Sequence, residues 1–257
     1  MVFQGLDQGQ AEAVWRPFLA WVKVAPKNFA VAPALRLLAL PARRLWDPTY
    51  LNAVAPGVMV ADDRPGAPAD NVLFAGDQQE AGQFIAAYDS LWLPAALLRA
   101  DQQQRLADAL FASSRHWGMA LHFNKELAGA PADVVAAARD TAMNPAALDA
   151  FALAICAAAG PTAFPGIPGH APDLATARDS AASVDRAMRE IAPLAPDAGS
   201  YVSESSFFND HWQQAFWGGN YARLAAVKQR YDPDGLFIVH HGIGSEAWSD
   251  DGFTRRA

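Results

Sequence analysis

The C-terminal part of the chain concentrates the side chains that could carry chemistry. Tyr201 and Glu204 stand three positions apart, and a phenol or a carboxylate held near a substrate can accept a proton as a general base. A glutamate buried in apolar surroundings has a raised pKa, which suits that role. The structural alternatives are a core tyrosine bonded to backbone at position 201 and an exposed or capping carboxylate at position 204.

A second group of candidate residues follows at positions 218–221, which read Gly-Gly-Asn-Tyr. Because they have no side chains, Gly218 and Gly219 let the backbone approach a bulky group closely. Asn220 stands at the predicted start of a helix, where it either caps that helix or hydrogen-bonds a group in front of it. Tyr221 lies on the face of this helix that is predicted to point inward. The group therefore predicts either a plain helix start or a contact with a bulky ligand.

Residues 119–124 alternate apolar and other side chains, which is typical of a half-buried strand with one polar face. His122 and Asn124 share that polar face. A histidine at such a position is either a hydrogen-bonded structural residue or a ligand contact. Its role depends on what covers the face.

Signatures of several other enzyme classes are missing from the sequence. No glycine-rich turn follows a predicted strand and opens a helix, so no dinucleotide or P-loop cradle is predicted. The run from Gly242 to Glu246 is not a nucleophile elbow, because its second glycine precedes the serine. His240 and His241 are adjacent, so on a predicted strand they point to opposite faces and cannot chelate one ion together. We expect no metal site.

Composition limits the classes of partner. The chain has 27 acidic and 20 basic residues and a formal charge of -7. Such a chain is not attracted to phosphate backbones, and no basic run indicates an anionic membrane surface, so neither nucleic acid nor membrane is expected as a partner. The longest apolar stretch, residues 146–159, is too short to span a bilayer. No signal peptide is recognisable, and the single cysteine, Cys156, excludes an intrachain disulfide, so the compartment stays open.

Helices and strands are predicted to mix without a strict βαβ period, which indicates an α+β fold with a mostly antiparallel sheet flanked by helices. Apolar spacing predicts helices at residues 8–23, 81–99, 101–115, 131–139, 173–191, 209–216 and 220–230. Strands are predicted at residues 2–5, 119–124, 151–156, 200–204 and 236–240. Residues 151–156 also fit a helix, because alanine favours it.

A longer pattern runs through residues 201–237. It consists of Tyr201-Val-Ser-Glu204, Trp212-Gln213, the run from Phe216 to Leu224, and Lys228 followed by Tyr231-Asp232-Pro233 and Phe237. Weaker pieces are Phe3-Gln4-Gly5, Tyr88-x-Ser90-x-Trp92 and the run from Leu121 to Lys125. With these segments the chain resembles the berberine-bridge-enzyme-like group of FAD-linked oxidases, although Ser203 stands where many members have asparagine.

The resemblance implies oxidation of an alcohol or carbohydrate-like substrate. A base would remove a hydroxyl proton while hydride passes to the flavin N5, and oxygen would re-oxidise the flavin to give hydrogen peroxide. Residues 1–195 would form a substrate-binding domain, and residues 196–257 a C-terminal segment that closes over the flavin. The implied roles are catalytic for Tyr201 and Glu204, substrate-binding for His122 and Asn124, and cofactor-binding for Gly219, Asn220 and Tyr221.

The sequence shows no counterpart of the N-terminal, glycine-rich flavin-binding domain of that group. We therefore expect a flavin-binding domain, in cis or in trans, to hold most of the FAD, and this chain alone to be inactive. One alternative is a non-catalytic remnant or subunit that pairs with a separate flavin-binding domain. Another is a small-molecule binding protein that has lost the chemistry.

Overall fold

The structure is a computed structural model that describes residues 5–24, 26–27, 29, 37–62, 65–68, 70–77, 80, 82–123, 127, 130–164 and 166–256. It divides into two compact units, Met1–Gln79 and Glu80–Ala257. The division predicted at residue 195 lies within the second unit and stays a prediction. No helix among the described residues is both long and apolar enough to cross a membrane.

The first unit begins with α1 (Gln8–Lys23), which confirms the helix predicted there. Asp7 and Gln10 form a capping box: each side chain accepts a hydrogen bond from the backbone N–H of the other, at 2.8 and 2.9 Å. Helix α2 (Pro48–Val54) is capped by Asp47, and β1 (Met59–Ala61) pairs antiparallel with β2 (Val72–Phe74). The strand predicted at residues 2–5 falls mainly outside the described residues.

The second unit is built on a three-stranded antiparallel sheet flanked by helices, which confirms the predicted α+β class. The central strand β5 (Ala150–Thr162) pairs with β3 (Gln83–Pro94) on one side and with β4 (Ala120–Phe123) on the other. The helices of the unit are α3 (Gln103–Ser114), α4 (Ala132–Arg139), α5 (Ala146–Asp149), α6 (Leu174–Ile191), α7 (Trp212–Trp217) and α8 (Tyr221–Tyr231).

One face of this sheet forms the core of the unit. Directly paired residues of antiparallel strands share a face, so Leu93 lies beside Ala152, and Leu91 beside Ala154. Leu93, Ala152 and Ala154 are fully buried, and Leu93 and Ala154 belong to one hydrophobic cluster with residues of α3 and α6. Complete burial of a leucine side chain contributes about 1.5–3 kcal/mol to the free energy of unfolding. The core therefore fixes which sheet face points away from the helices.

Helix α6 forms where the sequence predicts it. The Asp173 carboxylate caps the helix by accepting hydrogen bonds from the N–H groups of Ala175 (3.1 Å) and Thr176 (3.0 Å). Val184, Met188 and other residues of the predicted apolar stripe are buried against the sheet. The predicted helices at 8–23, 131–139 and 173–191 and the strand at 151–156 are thus confirmed.

The helix predicted at residues 81–99 is wrong. Residues 83–94 form strand β3, and a short 3₁₀ helix (Ala95–Leu98) follows. The run has no strict alternation because β3 is buried on both faces from Ser90 to Leu93. The helix predicted at residues 101–115 is confirmed as α3 but begins later, since α3 has Gln102 at its cap position and Asp101 pairs with Arg99.

The strands predicted at residues 200–204 and 236–240 are also wrong. Val202–Glu204 is a single 3₁₀ turn, closed by a hydrogen bond from Glu204 N–H to the Tyr201 carbonyl (2.9 Å). At the second position the Asp232 carboxylate accepts from the N–H groups of Leu236 (2.7 Å) and Phe237 (3.1 Å). These local bonds occupy N–H groups that a strand would give to a neighbouring strand.

Candidate functional site

Three of the seven predicted site residues, His122, Tyr201 and Glu204, meet at the sheet face opposite Leu93 and Ala154. Because paired residues share a face, the strand register arranges this face in three rows across the sheet. The rows are Trp92, Leu153 and His122; Ser90, Ile155 and Ala120; and Tyr88 with Ala157. Ala120, Ala157 and His122 are exposed, whereas Trp92, Leu153, Ser90 and Ile155 on the same face are buried. We call this surface the open sheet face.

Residues 199–206 lie along the free edge of β3 and on this face, and we call them the edge segment. The N–H of Trp92 donates to the Gly199 carbonyl (3.1 Å), and the N–H of Tyr201 donates to the Ser90 hydroxyl (3.3 Å). Within the segment, Ser200 donates to the hydroxyl of Ser205 (2.7 Å). The bonds hold a non-strand segment against the sheet, where sequence analysis predicted a strand.

Tyr201 extends over the sheet from this segment. Its ring lies 6.4 Å from that of Trp92, with 39% of the residue exposed. Its hydroxyl has no hydrogen-bond partner among the described residues. Tyr201 is therefore not a core tyrosine whose hydroxyl is bonded to backbone, which was the structural alternative. Beneath it, the buried Trp92 Nε1–H also has no partner within the described part of the chain.

Glu204 contacts Tyr88, which lies in the third row of the open sheet face. Burial raises the pKa of Tyr88, and the Glu204 carboxylate raises it further through its charge and a hydrogen bond from the Tyr88 hydroxyl. Glu80 adds a smaller effect of the same sign. A carboxylate and a phenol thus stand side by side, with Glu204 half-buried rather than exposed. The alternative of a solvated surface carboxylate does not describe this position.

A buried carboxylate fastens the end of the edge segment. Asp89 accepts hydrogen bonds from the N–H groups of Ser90 (2.8 Å) and Ser206. Burial raises the pKa of Asp89, the two N–H groups oppose that rise, and Asp185 on α6 adds to it. Asp89 therefore links the residue two positions after Glu204 to the strand that carries Tyr88.

His122 lies exposed on the open sheet face, in the row of Trp92 and Leu153. The predicted alternation of strand 119–124 is thus confirmed for residues 120–123. Asn124 lies outside the described residues. The substrate-binding role of both residues stays a prediction.

Asn220 binds another part of the chain rather than capping α8. Its Nδ2 donates to the carbonyls of Thr141 (3.0 Å) and Met143 (2.9 Å). Arg223 donates to the same Thr141 carbonyl (3.0 Å). The N-cap alternative is wrong, because α8 has no side-chain cap bond. The amide holds the loop before α5 against the start of α8.

The two glycines before Asn220 behave differently. Gly218 has a left-handed φ of 53°, and a Cβ there would lie 2.7 Å from Asn144 Oδ1. The bulky neighbour of Gly218 is thus the buried Asn144, whose Nδ2 donates to the Ala215 carbonyl at 2.8 Å. Gly219 is exposed, and no heavy atom lies within 4 Å of the position that its Cβ would take. The predicted close approach occurs at Gly218, and Gly219 faces open space.

Tyr221 anchors the tail that follows α8. Its hydroxyl donates to Glu246 Oε1 (2.5 Å) and accepts from the Gly244 N–H (3.2 Å). Burial, followed by the bond to Glu246, raises the pKa of Tyr221 to about 12. Trp212 packs edge-on against the ring, with 5.6 Å between the ring centres. The cofactor-binding role predicted for Tyr221, Asn220 and Gly219 stays a prediction.

Sequence analysis missed a histidine pair beside this anchor. The rings of His240 and His241 stack with centres 3.7 Å apart, although a strand would have pointed them to opposite faces. They line a hollow of about 370 Å³ whose walls also include Trp212, Glu246, Trp248 and Arg256. The available signal was the doublet itself, followed by Gly242 and Gly244, which indicates a turn and not a strand.

In a comparison with known proteins, one part of the chain matches a family model. Residues 194–244 match the family model described as berberine and berberine like. The predicted resemblance to FAD-linked oxidases is thereby confirmed.

Named relatives match part of the chain. The chain is 46% identical over 68 residues to the FAD-linked oxidoreductase notD' of Aspergillus versicolor, covering 26% of this chain and 11% of that protein. It is 40% identical over 85 residues to the VAO-type flavoprotein oxidase VAO615 of Thermothelomyces thermophilus, covering 33% of this chain and 14% of that protein. The matches thus span a small part of these relatives' length.

Solved structures extend the likeness to nearly the whole chain. Two VAO-type flavoproteins of Myceliophthora thermophila C1, MtVAO713 and MtVAO615, align over 95% of this chain with TM-scores of 0.53 and 0.55. Sequence identity is 20% and 22%, and the chain covers 37% and 38% of the two proteins. The chain therefore shares its fold with part of a VAO-type flavoprotein.

Proposed function

We propose that this chain is part of an FAD-dependent oxidoreductase that oxidises an alcohol or carbohydrate-like substrate over its open sheet face. The observation that carries the proposal is the Glu204 carboxylate beside the Tyr88 hydroxyl, next to a tyrosine whose own hydroxyl has no partner among the described residues. Proton-accepting groups at the edge of an exposed sheet face are placed to act on a molecule that covers it.

The residues present fit a flat ring system. Ala120 and Ala157 are exposed on the open sheet face, and their small side chains leave room above the sheet. Tyr88, Tyr201 and His122 lie around them. The buried indole N–H of Trp92, which has no partner among the described residues, supports a polar acceptor nearby. Gly219 offers a second open approach for a bulky group. FAD, when bound there, would supply an acceptor for the hydride that leaves the substrate carbon.

The protein's own residues would handle the proton and the orientation of the substrate. Glu204 is the proposed base for the substrate hydroxyl, and the Tyr88 hydroxyl would stabilise its ionised form. Tyr201 is the alternative base or a hydrogen-bond partner for the same hydroxyl. His122, in the row of Trp92, would bind a second substrate hydroxyl, as would Asn124. Oxygen is the proposed final acceptor of the electrons.

A flavin-binding domain, in cis or in trans, is the proposed partner. Several large apolar side chains of the tail region are between 63% and 90% exposed: Phe207, Phe208, Leu236, Phe237, Val239 and Phe253. Large apolar side chains with this exposure are suited to an interaction surface, and Phe207 and Phe208 lie side by side with ring centres 5.3 Å apart. The same observation supports the second candidate function, a non-catalytic subunit that pairs with a separate flavin-binding domain.

The test measures flavin reduction directly. The chain is mixed with FAD, alone and with a flavin-binding domain from one of the matched oxidoreductases, and flavin bleaching is followed in single turnovers with a panel of alcohols and sugars. We expect E204Q to slow bleaching by about 10²-fold or more, because general-base catalysis contributes that much. The matched control is D197N, which removes an exposed carboxylate near the edge segment.

The outcomes separate the candidates. A wild-type rate in both E204Q and Y201F would exclude the proposed bases. Flavin binding without bleaching by any substrate would favour the non-catalytic subunit. No flavin binding in either mixture would overturn the proposal as a whole.

A further inference from the structure

Four aromatic rings form a column between the edge segment and α7. Phe207 stacks on His240 with ring centres 3.9 Å apart and planes inclined by 13°. His240 stacks on His241 (3.7 Å, 29°), and His241 stacks on Trp212 (5.4 Å, 14°). The two imidazoles thus occupy the middle of the column, with His240 exposed and His241 half-buried, and a charge on either ring would face the other ring.

The column is fastened by one hydrogen bond and one unusual backbone angle. His240 Nε2 lies 2.7 Å from the Phe207 carbonyl, and because a carbonyl only accepts, this nitrogen donates the hydrogen. His241 has a φ of 56°, in the left-handed region that non-glycine residues seldom occupy. The imidazole of His241 makes only ring contacts with the described residues. Packing in the column therefore holds its conformation.

The surroundings disfavour a proton on His241. Burial lowers its pKa most, the neighbouring His240 lowers it further, and Asp210 opposes both. The hollow beside the column also holds four charged groups: Glu246, Asp250, Asp251 and Arg256. All four have partners of their own.

Because of these partners, the carboxylates of the hollow are not free to pair with a charged histidine. Asp250 pairs with Arg256 at 2.6 Å, and Asp251 accepts from the Ser249 hydroxyl at 2.5 Å. Glu246 accepts from Tyr221. An imidazolium at position 241 would thus meet carboxylates that are already engaged.

The column also holds the end of the edge segment. Phe207 follows Glu204 by three residues, and the only described bond to its carbonyl comes from His240. On the other side, Asp89 accepts from the N–H of Ser206. The position of Glu204 against Tyr88 therefore depends on fastenings at Asp89 and at the histidine pair.

We propose that His240 and His241 form a proton-sensitive latch that holds the edge segment on the sheet near neutral pH and releases it on acidification. The role of Glu204 as a catalytic base rests on the proposed function, whereas the latch does not depend on that function. Two cations in stacked rings repel, so protonation opens the column, frees the Phe207 carbonyl and loosens Glu204 from Tyr88.

The direction of the pH effect follows from linkage. His241 binds a proton less readily in the closed column than in an opened chain, where its pKa takes the ordinary value of 6.5. The opened form therefore gains the proton first as pH falls below 6.5, and the closed column loses stability below that pH. Above 6.5 both forms are neutral, and the latch is insensitive to pH.

Hydrogen exchange followed by mass spectrometry tests the latch without flavin or substrate. Protection of residues 201–210, corrected for intrinsic exchange rates, is compared at pH 7.5 and pH 5. We expect wild-type protection to fall about threefold to tenfold at the lower pH. H241N should remove this dependence, because asparagine tolerates the left-handed angle but does not titrate. H211Q, an exposed histidine before α7, should behave as wild type.

Two results would overturn the latch. One is wild-type protection of residues 201–210 that does not change with pH. The other is an equal pH-dependent loss in H241N. Should H241N fail to fold, H240Q serves instead, because the glutamine amide keeps a donor for the Phe207 carbonyl without a titrating group. Loss of enzymatic activity at every pH would count against the proposed function and leave the exchange result unaffected.

Discussion

The Tyr221 hydroxyl donates a 2.5 Å hydrogen bond to Glu246 Oε1, and this bond joins the first residue of α8 to the 3₁₀ turn Ser245–Ala247 in the tail. The Gly244 N–H donates to the same hydroxyl. One phenol therefore fixes a tail that has no strand of its own among the described residues.

Replacing Tyr221 should weaken the anchoring of the tail. Y221F removes both hydrogen bonds and leaves the ring packed against Trp212. We expect a loss of about 1 kcal/mol in the free energy of unfolding, since Glu246 is exposed and regains water. Urea denaturation measures the loss. Y231F is the matched control, because that tyrosine is 74% exposed and should change the stability little. Equal stability of Y221F and wild type would contradict the anchor.

The same hydroxyl predicts a stability change in alkali. Its pKa is about 12 in the folded chain against an ordinary value of 10.0. The unfolded chain therefore releases this proton first, and the free energy of unfolding should fall as pH rises from 10 towards 12. Denaturation midpoints across that range measure the effect. Y221F should show a shallower decline than wild type, and an identical slope would refute the assignment.

Adjacent glycines should differ sharply when each is replaced by alanine. G218A places a methyl group 2.7 Å from Asn144 Oδ1 at a φ of 53°, so we expect a loss of about 1–3 kcal/mol. G219A meets no heavy atom within 4 Å and should keep near wild-type stability. Thermal unfolding of both variants checks the contrast. Similar midpoints for the two would show that Asn144 is not packed as described.

Glu204 should control the ionisation of Tyr88. Burial raises the pKa of Tyr88 first, and the carboxylate adds to that rise. E204Q removes the negative charge, so the pKa of Tyr88 should move down while staying above its ordinary value. NMR titration of labelled tyrosine in wild type, E204Q and the control E190Q measures this. An unchanged pKa of Tyr88 in E204Q would show that the two side chains do not interact.

The sequence was sufficient where local signals agree with packing. Helix α6 could be predicted because two local signals indicate the same helix. Asp173 caps its start, and an apolar stripe at helical spacing runs to Ile191. Strand β5 follows from the alternation of Phe151, Leu153 and Ile155. In α6 a single buried face identifies the period, and in β5 the alternation of large and small side chains does so, although residues 152–156 are buried on both faces.

The sequence was insufficient where partners are distant. Strand β3 was taken for a helix because burial of both faces from Ser90 to Leu93 erases the alternation. The edge segment was taken for a strand, yet its N–H groups bond to Ser90 and to the Ala215 carbonyl. The Glu204–Tyr88 contact joins residues more than a hundred positions apart, and no local pattern contains it.

Asn144 ties the middle of the chain to α7, and this bears on where the chain can be truncated. Its amide reaches the carbonyls of Gln214 and Ala215, and a Cβ at either Gly199 or Gly218 would press on it. During synthesis this asparagine leaves the ribosome about seventy residues before its partners do. Until α7 is present, this amide lacks the two carbonyls that it binds in the folded unit. Truncation before residue 215 should yield an insoluble product rather than a smaller working domain.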